Sequence, residues 1–227
     1  MKPIRLVCGT RVAREQFRTG TALGQCLQLY THVPDMQVHL FDNNRLGLST
    51  IYNQAIAQAE KLPAILVFVH DDVLLYDFFW AERIREAVEH FDIVGLAGNT
   101  RRLPRQPGWA LTQNLGWDDR RYLSGAVGHG VNGGWNNVSD FGPSRQACKL
   151  LDGLMLIADS DTLIRSGLRF DEQFKFHFYD MDFCRQAELK GLSMGTWPIS
   201  VVHQSGGAFD SPDWRAGLAL YRRKYGE

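Results

Sequence analysis

The sequence has no excess charge of either sign and few cysteines. Its 25 basic residues balance 25 acidic residues over 227 positions. It therefore lacks the basic excess of a general nucleic-acid-binding protein and the charge imbalance typical of a disordered chain. The four cysteines are scattered, without the paired spacing of a zinc site, which favours reduced and buried thiols. We expect a globular protein with no nucleic-acid partner.

Long hydrophobic runs are also lacking. The longest apolar runs, residues 64–69 and 154–158, have the length of strands. They fall well short of the roughly 18–20 residues that span a bilayer. The first residues enter a strand pattern directly, without the apolar core of a signal sequence. We therefore expect no transmembrane segment and a cytoplasmic location.

The first 97 residues alternate between strand and helix patterns. Strands are predicted at residues 4–8, 38–41, 64–69 and 93–97, with amphipathic helices between them. One of these helices has Ser49 as a candidate N-cap. Such an order predicts an α/β fold with an open, mixed, mostly parallel sheet flanked by helices.

Residues 98–142 show no period and are rich in glycine, tryptophan and arginine. A segment of this length without regular structure is typical of a functional loop, and its tryptophans favour a loop that packs or binds. Beyond it the sequence predicts a strand at 151–158, a helix at 181–190 with Asp180 as its N-cap, and a strand at 197–202. A last helix is predicted after Ser211.

In open α/β sheets, ligands bind beyond the carboxyl ends of the strands. Adjacent carboxylates after the strand at 64–69 repel each other, and a divalent cation held with substrate phosphates would remove that cost. Alternatively, one of them merely caps a turn. The polar residues that follow three predicted strands are Thr10 and Arg11, then Asp42, then His70, Asp71 and Asp72.

Two further positions bear on chemistry. Asp180 at a helix start can accept a proton from a substrate hydroxyl, or it can be a cap with Asp182 and Arg185 as an ordinary ion pair on the helix. His203 ends a predicted strand and enters a glycine-bearing segment, where it can be a ligand or a structural histidine.

The order and spacing of these motifs resemble the family 2 glycosyltransferases with the GT-A fold. Within them, the likeness is to the glycosyltransferase-like family typified by a streptomycin-biosynthesis protein. The motifs that carry the resemblance are Gly47-Leu48-Ser49, Tyr52-Asn53-Gln54-Ala55-Ile56, His70-Asp71-Asp72, Leu151-Asp152-Gly153-Leu154-Met155, Phe170-Asp171-Glu172, Tyr179-Asp180-Met181-Asp182, Arg185 and His203.

The resemblance implies an inverting, metal-dependent transfer of a sugar from a nucleotide-diphosphate donor, linked to UDP or GDP, with Mn²⁺ or Mg²⁺. The acceptor would be a hydroxyl of a glycan or small molecule. Residues 1–227 would form one GT-A domain, with a nucleotide-sugar half at 1–97, a variable loop region at 98–148 and an acceptor and catalytic half at 149–227. The tryptophan-bearing loop is our candidate for acceptor selection.

The resemblance also assigns roles to individual residues. One departure is that His70 stands where the family has the first acid of its metal motif. The implied residues are Asp180 as catalytic base; Asp72 and His203 as metal ligands; Thr10, Arg11, Asp42, Asn53 and Asp71 on the donor side; and Asp152, Gly153 and Asp182 on the acceptor side.

Three alternatives stay open. A noncatalytic nucleotide- or glycan-binding protein would bind the donor without transfer. A sugar nucleotidyltransferase would need a glycine-rich loop after the first strand, where residues 9–14 supply a single glycine. A metal-dependent phosphohydrolase would place its carboxylates after the first strand.

Overall fold

The computed structural model describes residues 1–131, 135–206 and 209–226. Residues 132–134 of the predicted loop lie outside them. In the described part, the helices are α1 (Arg14–Gly20), α2 (Ala22–Leu27), α3 (Leu48–Ala59), α4 (Trp80–His90), α5 (Ser160–Ser166), α6 (Tyr179–Leu189) and α7 (Pro212–Tyr225). The strands are β1 (Ile4–Gly9), β2 (Met36–Phe41), β3 (Ile65–Val69), β4 (Val73–Leu75), β5 (Ile93–Gly95), β6 (Ala97–Asn99), β7 (Leu123–His129), β8 (Asn137–Gly142), β9 (Leu150–Leu151), β10 (Met155–Asp159), β11 (Met194–Thr196) and β12 (Val201–His203).

The larger part of the core lies on the two faces of a six-stranded sheet with the order β11-β5-β10-β3-β1-β2. Three of its pairings are parallel, and β10 runs antiparallel to both of its neighbours. Every residue of β3 is buried because apolar clusters cover both faces, as its unbroken apolar sequence predicts. The predicted α/β class, with mixed sheets flanked by helices, is confirmed and is consistent with a GT-A-like, Rossmann-type fold.

A second sheet has the order β4-β12-β7-β6-β9, and β8 pairs with β7. Two expectations are corrected here. The predicted strand at 93–97 divides at Leu96, so that β5 joins the first sheet and β6 the second. The predicted loop at 98–142 contains β7 and β8. Glycines hide the pattern of β7, and Gly125 is required because a Cβ there would lie 1.9 Å from the Leu96 carbonyl oxygen.

Three other predicted boundaries are wrong. The strand at 151–158 is interrupted at residues 152–154, which separate β9 from β10. The strand at 197–202 is regular only from Val201. Ser49 lies inside α3, whose N-cap is Gly47, and the Ser49 hydroxyl donates instead to the Phe174 carbonyl at 2.5 Å. The Ser211 cap of α7 is confirmed by its hydrogen bond from Trp214 N–H.

The expected buried thiols are also observed, since all four cysteines are free and buried. In the part of the chain that the structure describes, no helix combines the length and apolarity needed to cross a membrane.

Candidate active site

The direction of β10 brings two distant segments together. Because β10 is antiparallel to β3, Met155 pairs with Val69, and the residues before β10 meet the residues after β3. The backbone N–H of His70 donates to the Leu154 carbonyl at 3.2 Å. Asp152 and Gly153 therefore lie at the same sheet edge as the segment 70–72.

The second sheet adds His203 to this edge. Strand β12 pairs with β4, which places His203 opposite Val73, and the Gln204 N–H donates to the Asp72 carbonyl at 2.9 Å. One ligand atom from each of His70, Asp72 and His203 lies within 4.8 Å of the others. The site thus forms from three elements that are far apart in sequence.

The donor set of this group fits a divalent cation. His203 Nε2 lies 3.3 Å from Asp72 Oδ1, yet that buried oxygen accepts no hydrogen bond from any described residue. A buried carboxylate oxygen without a partner is costly, and a metal ion would satisfy it. We call His70, Asp72 and His203 the ligand group.

Hydrogen bonds fix the tautomer of His70. Its Nε2 lies 2.9 Å from the Tyr179 hydroxyl, which also lies 2.6 Å from the Gly153 carbonyl oxygen. Because the carbonyl can only accept, the tyrosine donates to it and receives the proton of His70 Nε2. The Nδ1 atom of the neutral ring therefore carries the lone pair that a metal needs.

The pKa values in the ligand group reflect burial and mutual charge. Burial lowers the pKa of His70 to about 4, which keeps the ring neutral. Burial alone would raise the pKa of Asp72, but His203 and the nearby His70 outweigh it and lower the pKa to about 2. Burial opposes the shift at His203 as well, and Asp72 raises its pKa above the usual value.

Asp180 lies in the first turn of α6 and not at its N-cap, contrary to the sequence prediction. The N-cap is Phe178, which adopts a left-handed conformation with φ of 66°. This conformation costs a non-glycine residue on the order of 1 kcal/mol. Phe178 stacks on Tyr221 of α7, with ring centroids 5.6 Å apart, so the packing of α7 holds the start of α6 in place.

Gly153 holds the Asp180 carboxyl group. Its N–H donates to Asp180 Oδ2 at 3.0 Å, and a Cβ at Gly153 would lie 2.6 Å from the Tyr179 hydroxyl oxygen and 2.9 Å from Asp180 Cβ. Burial, together with the charge of Asp152, raises the pKa of Asp180 to about 7. Burial raises the pKa of Asp152 as well. A carboxyl group with this pKa can accept a proton near neutral pH.

A cavity of about 730 Å³ joins the ligand group to Asp152, Gly153 and Asp180. One wall comes from the segment that was predicted to be a loop, and the indole N–H of Trp109 in this wall is a hydrogen-bond donor to Asp152. His129, at the end of β7, lines the cavity beside His203, with which it pairs between the strands.

The residues predicted on the donor side have different surroundings. Asp71 lines the cavity and accepts a hydrogen bond from Thr10 at 2.6 Å. Asp42 pairs with Arg14 at 2.8 Å. Arg11 is exposed in the turn after β1.

Asn53 is engaged in holding another segment. Its side-chain amide donates to the Phe170 carbonyl at 2.9 Å and accepts from the Phe170 N–H at 3.0 Å. It also donates to Glu172 at 3.0 Å. The structure therefore gives Asn53 a role in fastening α3 to residues 170–172.

Asp182 does not join the cavity residues. Its side chain is fully buried, and it accepts hydrogen bonds from Lys224 Nζ and the Tyr225 hydroxyl, both at 2.6 Å. Residues on successive helical positions point in different directions, so Asp180 and Asp182 face different surroundings. The expected acceptor-side place for Asp182 is wrong, because the residue anchors α7.

Sequence reasoning missed the parts that Tyr179, His129 and Trp109 play. Tyr179 stands next to Asp180 in the quoted motif, so its position was a usable signal. His129 and Trp109 gave none, because their segment lacks a period and its strands were not recognised.

No profile of a known protein family matches the sequence, and no curated protein matches it. Among solved structures, the chain is similar to A197 from STIV, with 8% identity and a TM-score of 0.48 over 92% of this chain and 97% of that one. It is similar to the catalytic domain of Drosophila beta1,4-galactosyltransferase 7, with 11% identity and a TM-score of 0.46 over 86% of this chain. For TarS of S. aureus the values are 12% and 0.46 over 89% of this chain. The chain spans 65% and 60% of the length of the last two proteins.

Proposed function

We propose that this protein is a metal-dependent glycosyltransferase that moves a sugar from a nucleotide-diphosphate donor to an acceptor hydroxyl with inversion. The observation that carries the proposal is the shared cavity. It holds the ligand group on one side and, on the other, a carboxyl group whose pKa is raised to about 7. Leaving-group stabilisation and proton removal need these two kinds of group within reach of one substrate.

His70 Nδ1, Asp72 and His203 would hold the cation. When bound, it would offset the negative charge that develops on the departing diphosphate. Imidazole nitrogens suit transition metals better than Mg²⁺, so we expect Mn²⁺ to bind more tightly than Mg²⁺. Asp71, with Thr10, Arg11 and Asp42, would form the donor side at the ends of β1, β2 and β3.

Asp180 would act as the general base. As the acceptor oxygen attacks the anomeric carbon, its proton passes to the Asp180 carboxylate and the new carbon–oxygen bond forms. The bond from the anomeric carbon to the diphosphate breaks, and its electron pair leaves with the diphosphate. The hydrogen bond from Gly153 N–H keeps the carboxylate aimed into the cavity. In this division, residues 1–97 serve the donor and residues 149–227 serve the acceptor and the base.

A thermal-shift screen of UDP and GDP, each with Mn²⁺, Mg²⁺ or no metal, tests the binding half of this proposal. We expect one nucleotide to raise the melting temperature with Mn²⁺ and to do so much less without metal. Hydrolysis of the matching nucleotide sugar, followed as release of the nucleotide, tests the chemistry. Binding without hydrolysis or transfer would support the noncatalytic alternative, and no binding of either nucleotide would contradict both.

A further inference from the structure

The wall of the cavity that contains Trp117 is an ordered hairpin. Leu111 and Trp117 form an antiparallel bridge, and the Thr112 N–H donates to the Gly116 carbonyl at 2.8 Å. One residue further, the Asp118 N–H donates to the Ala110 carbonyl at 2.8 Å. The shape of this wall is therefore set before any ligand binds.

Asp118 fastens the hairpin to the second sheet. The residue is buried, and Oδ2 accepts hydrogen bonds from Asn99 Nδ2 and from Arg101 Nε, both at 3.0 Å. Asn99 belongs to β6. Hydrogen bonds that involve charged groups are among the stronger ones, so this contact holds the hairpin against the sheet.

The hairpin presents aromatic rings to the cavity. Trp117 stacks on Phe141 at a centroid distance of 5.9 Å and an angle of 26°, while Trp109 meets the same ring edge-on at 4.9 Å. Although it is held there, Trp117 is 66% exposed. A held and exposed indole ring is a flat surface on which a ring with outward C–H bonds can lie.

The charge around the cavity has one sign. Of the described residues that line it, five are aspartates and none is Lys or Arg. The arginines near the hairpin are engaged in ion pairs with other carboxylates. These pairs are Arg101 with Asp118, Arg120 with Asp140, and Arg121 with Asp119. An acceptor that carries a carboxylate or phosphate would therefore meet repulsion without compensation.

The inner part of the cavity is polar. Ser139 and His129 line it, with the serine hydroxyl 2.9 Å from His129 Nε2, and Asp152 lies near Asp180. These groups can exchange hydrogen bonds with several hydroxyls. An occupant of this cavity must therefore have hydroxyls at one end and an apolar face at the other.

We propose that the acceptor is a neutral saccharide that stacks on Trp117 and directs a hydroxyl to Asp180. This inference rests on the proposed function and names the substrate class of the same site. A lipid would leave the inner polar groups without partners, and an anionic sugar would meet the aspartates. A neutral sugar ring has both the hydroxyls and the C–H face that the cavity requires.

Saturation-transfer NMR and calorimetry of the full chain with Mn²⁺ and UDP or GDP test the proposal. The probes are the methyl glycosides of glucose, galactose, mannose and xylose, and the methyl uronides of the three hexoses. We expect at least one neutral glycoside to bind, and its uronide to bind at least about tenfold more weakly. W117A should weaken the neutral glycoside by about tenfold or more, which is the loss of one stacking contact.

The matched control is W135A. Trp135 is 59% exposed and lies in a separate apolar groove beside Val138, so its removal should leave sugar binding unchanged. Equal affinity for a glycoside and its uronide, equal effects of W117A and W135A, or no binding of any neutral glycoside would overturn the proposal. Binding of octyl glucoside without methyl glucoside would also overturn it and would indicate a lipid. Sugar binding at Trp117 in a protein that hydrolyses no donor would refute the proposed function alone.

Discussion

The two sides of the active-site edge use their polar side chains in opposite ways. On the donor side, Asn53 spends its amide on Phe170 and Glu172, and Asp42 is paired with Arg14. At the cavity floor, Asp72 keeps a buried oxygen without a partner and Asp180 is a buried carboxyl group with a raised pKa. Satisfied polar groups stabilise the fold, whereas these unsatisfied ones destabilise it and are available to a ligand.

The same contrast separates Asp182 from Asp180. Replacing Asp182 by Asn would leave the Lys224 ammonium without its buried partner, which costs about 3–5 kcal/mol. We expect a correspondingly lower free energy of unfolding, measured by urea denaturation. Asp161→Asn, at an exposed ion pair with Lys2, is the control and should change stability by less than about 1 kcal/mol. Equal effects of the two variants would contradict the anchoring role.

Asp72→Asn should act on binding instead of stability. Removal of this negative charge from the ligand group should weaken Mn²⁺-dependent binding of UDP or GDP by about 100-fold or more. The fold should persist, because the lost oxygen has no protein partner. Calorimetry with and without Mn²⁺ measures the effect. Unchanged affinity in the metal would remove Asp72 from the ligand group.

Asn53→Ala tests whether the donor-side amide serves structure. The substitution leaves the Phe170 N–H and carbonyl without their partner, which costs about 1–3 kcal/mol. We expect a melting temperature lower by roughly 2–4 °C for each kcal/mol lost. A variant with normal stability and weakened nucleotide binding would reverse this assignment.

The smallest expected effect concerns the stability of the metal-free protein against pH. The pKa of Asp180 in the folded chain is raised to about 7, so the native state holds this proton more tightly than the unfolded chain does. The stability that the proton provides is present below about pH 4 and is lost as the pH rises towards 7. Asp180→Asn should therefore melt higher than the wild type at pH 8, by about 2 °C or more, and at about the same temperature at pH 4. A constant difference across this range would contradict the raised pKa.

Local sequence patterns predicted much of the fold. The apolar run of β3, the amphipathic α4 and the Ser211 cap each carry their own signal. The glycine-rich β7 carries none, because its glycines remove the alternation of side chains that marks a half-buried strand. The break at Asp152 and Gly153 also depends on contacts across the chain with Tyr179 and Asp180.

The candidate site was predictable in part for the same reason. Asp72 and Asp180 stand in motifs that are visible in the sequence. Which of their neighbours contact them depends on β10 running antiparallel to β3, and on α6 starting at a left-handed Phe178. No local pattern specifies these two features. Asp182 was misplaced because two positions along a helix turn a side chain towards a different neighbour.

The central claim is that one cavity combines a diphosphate-binding metal group with Asp180 as the base. The most direct test is transfer by Asp180→Asn, assayed with the donor and acceptor found for the wild type, alongside donor affinity by calorimetry. We predict donor affinity within about twofold of the wild type and transfer slower by about 10²-fold or more. Transfer at a rate close to that of the wild type would contradict the claim.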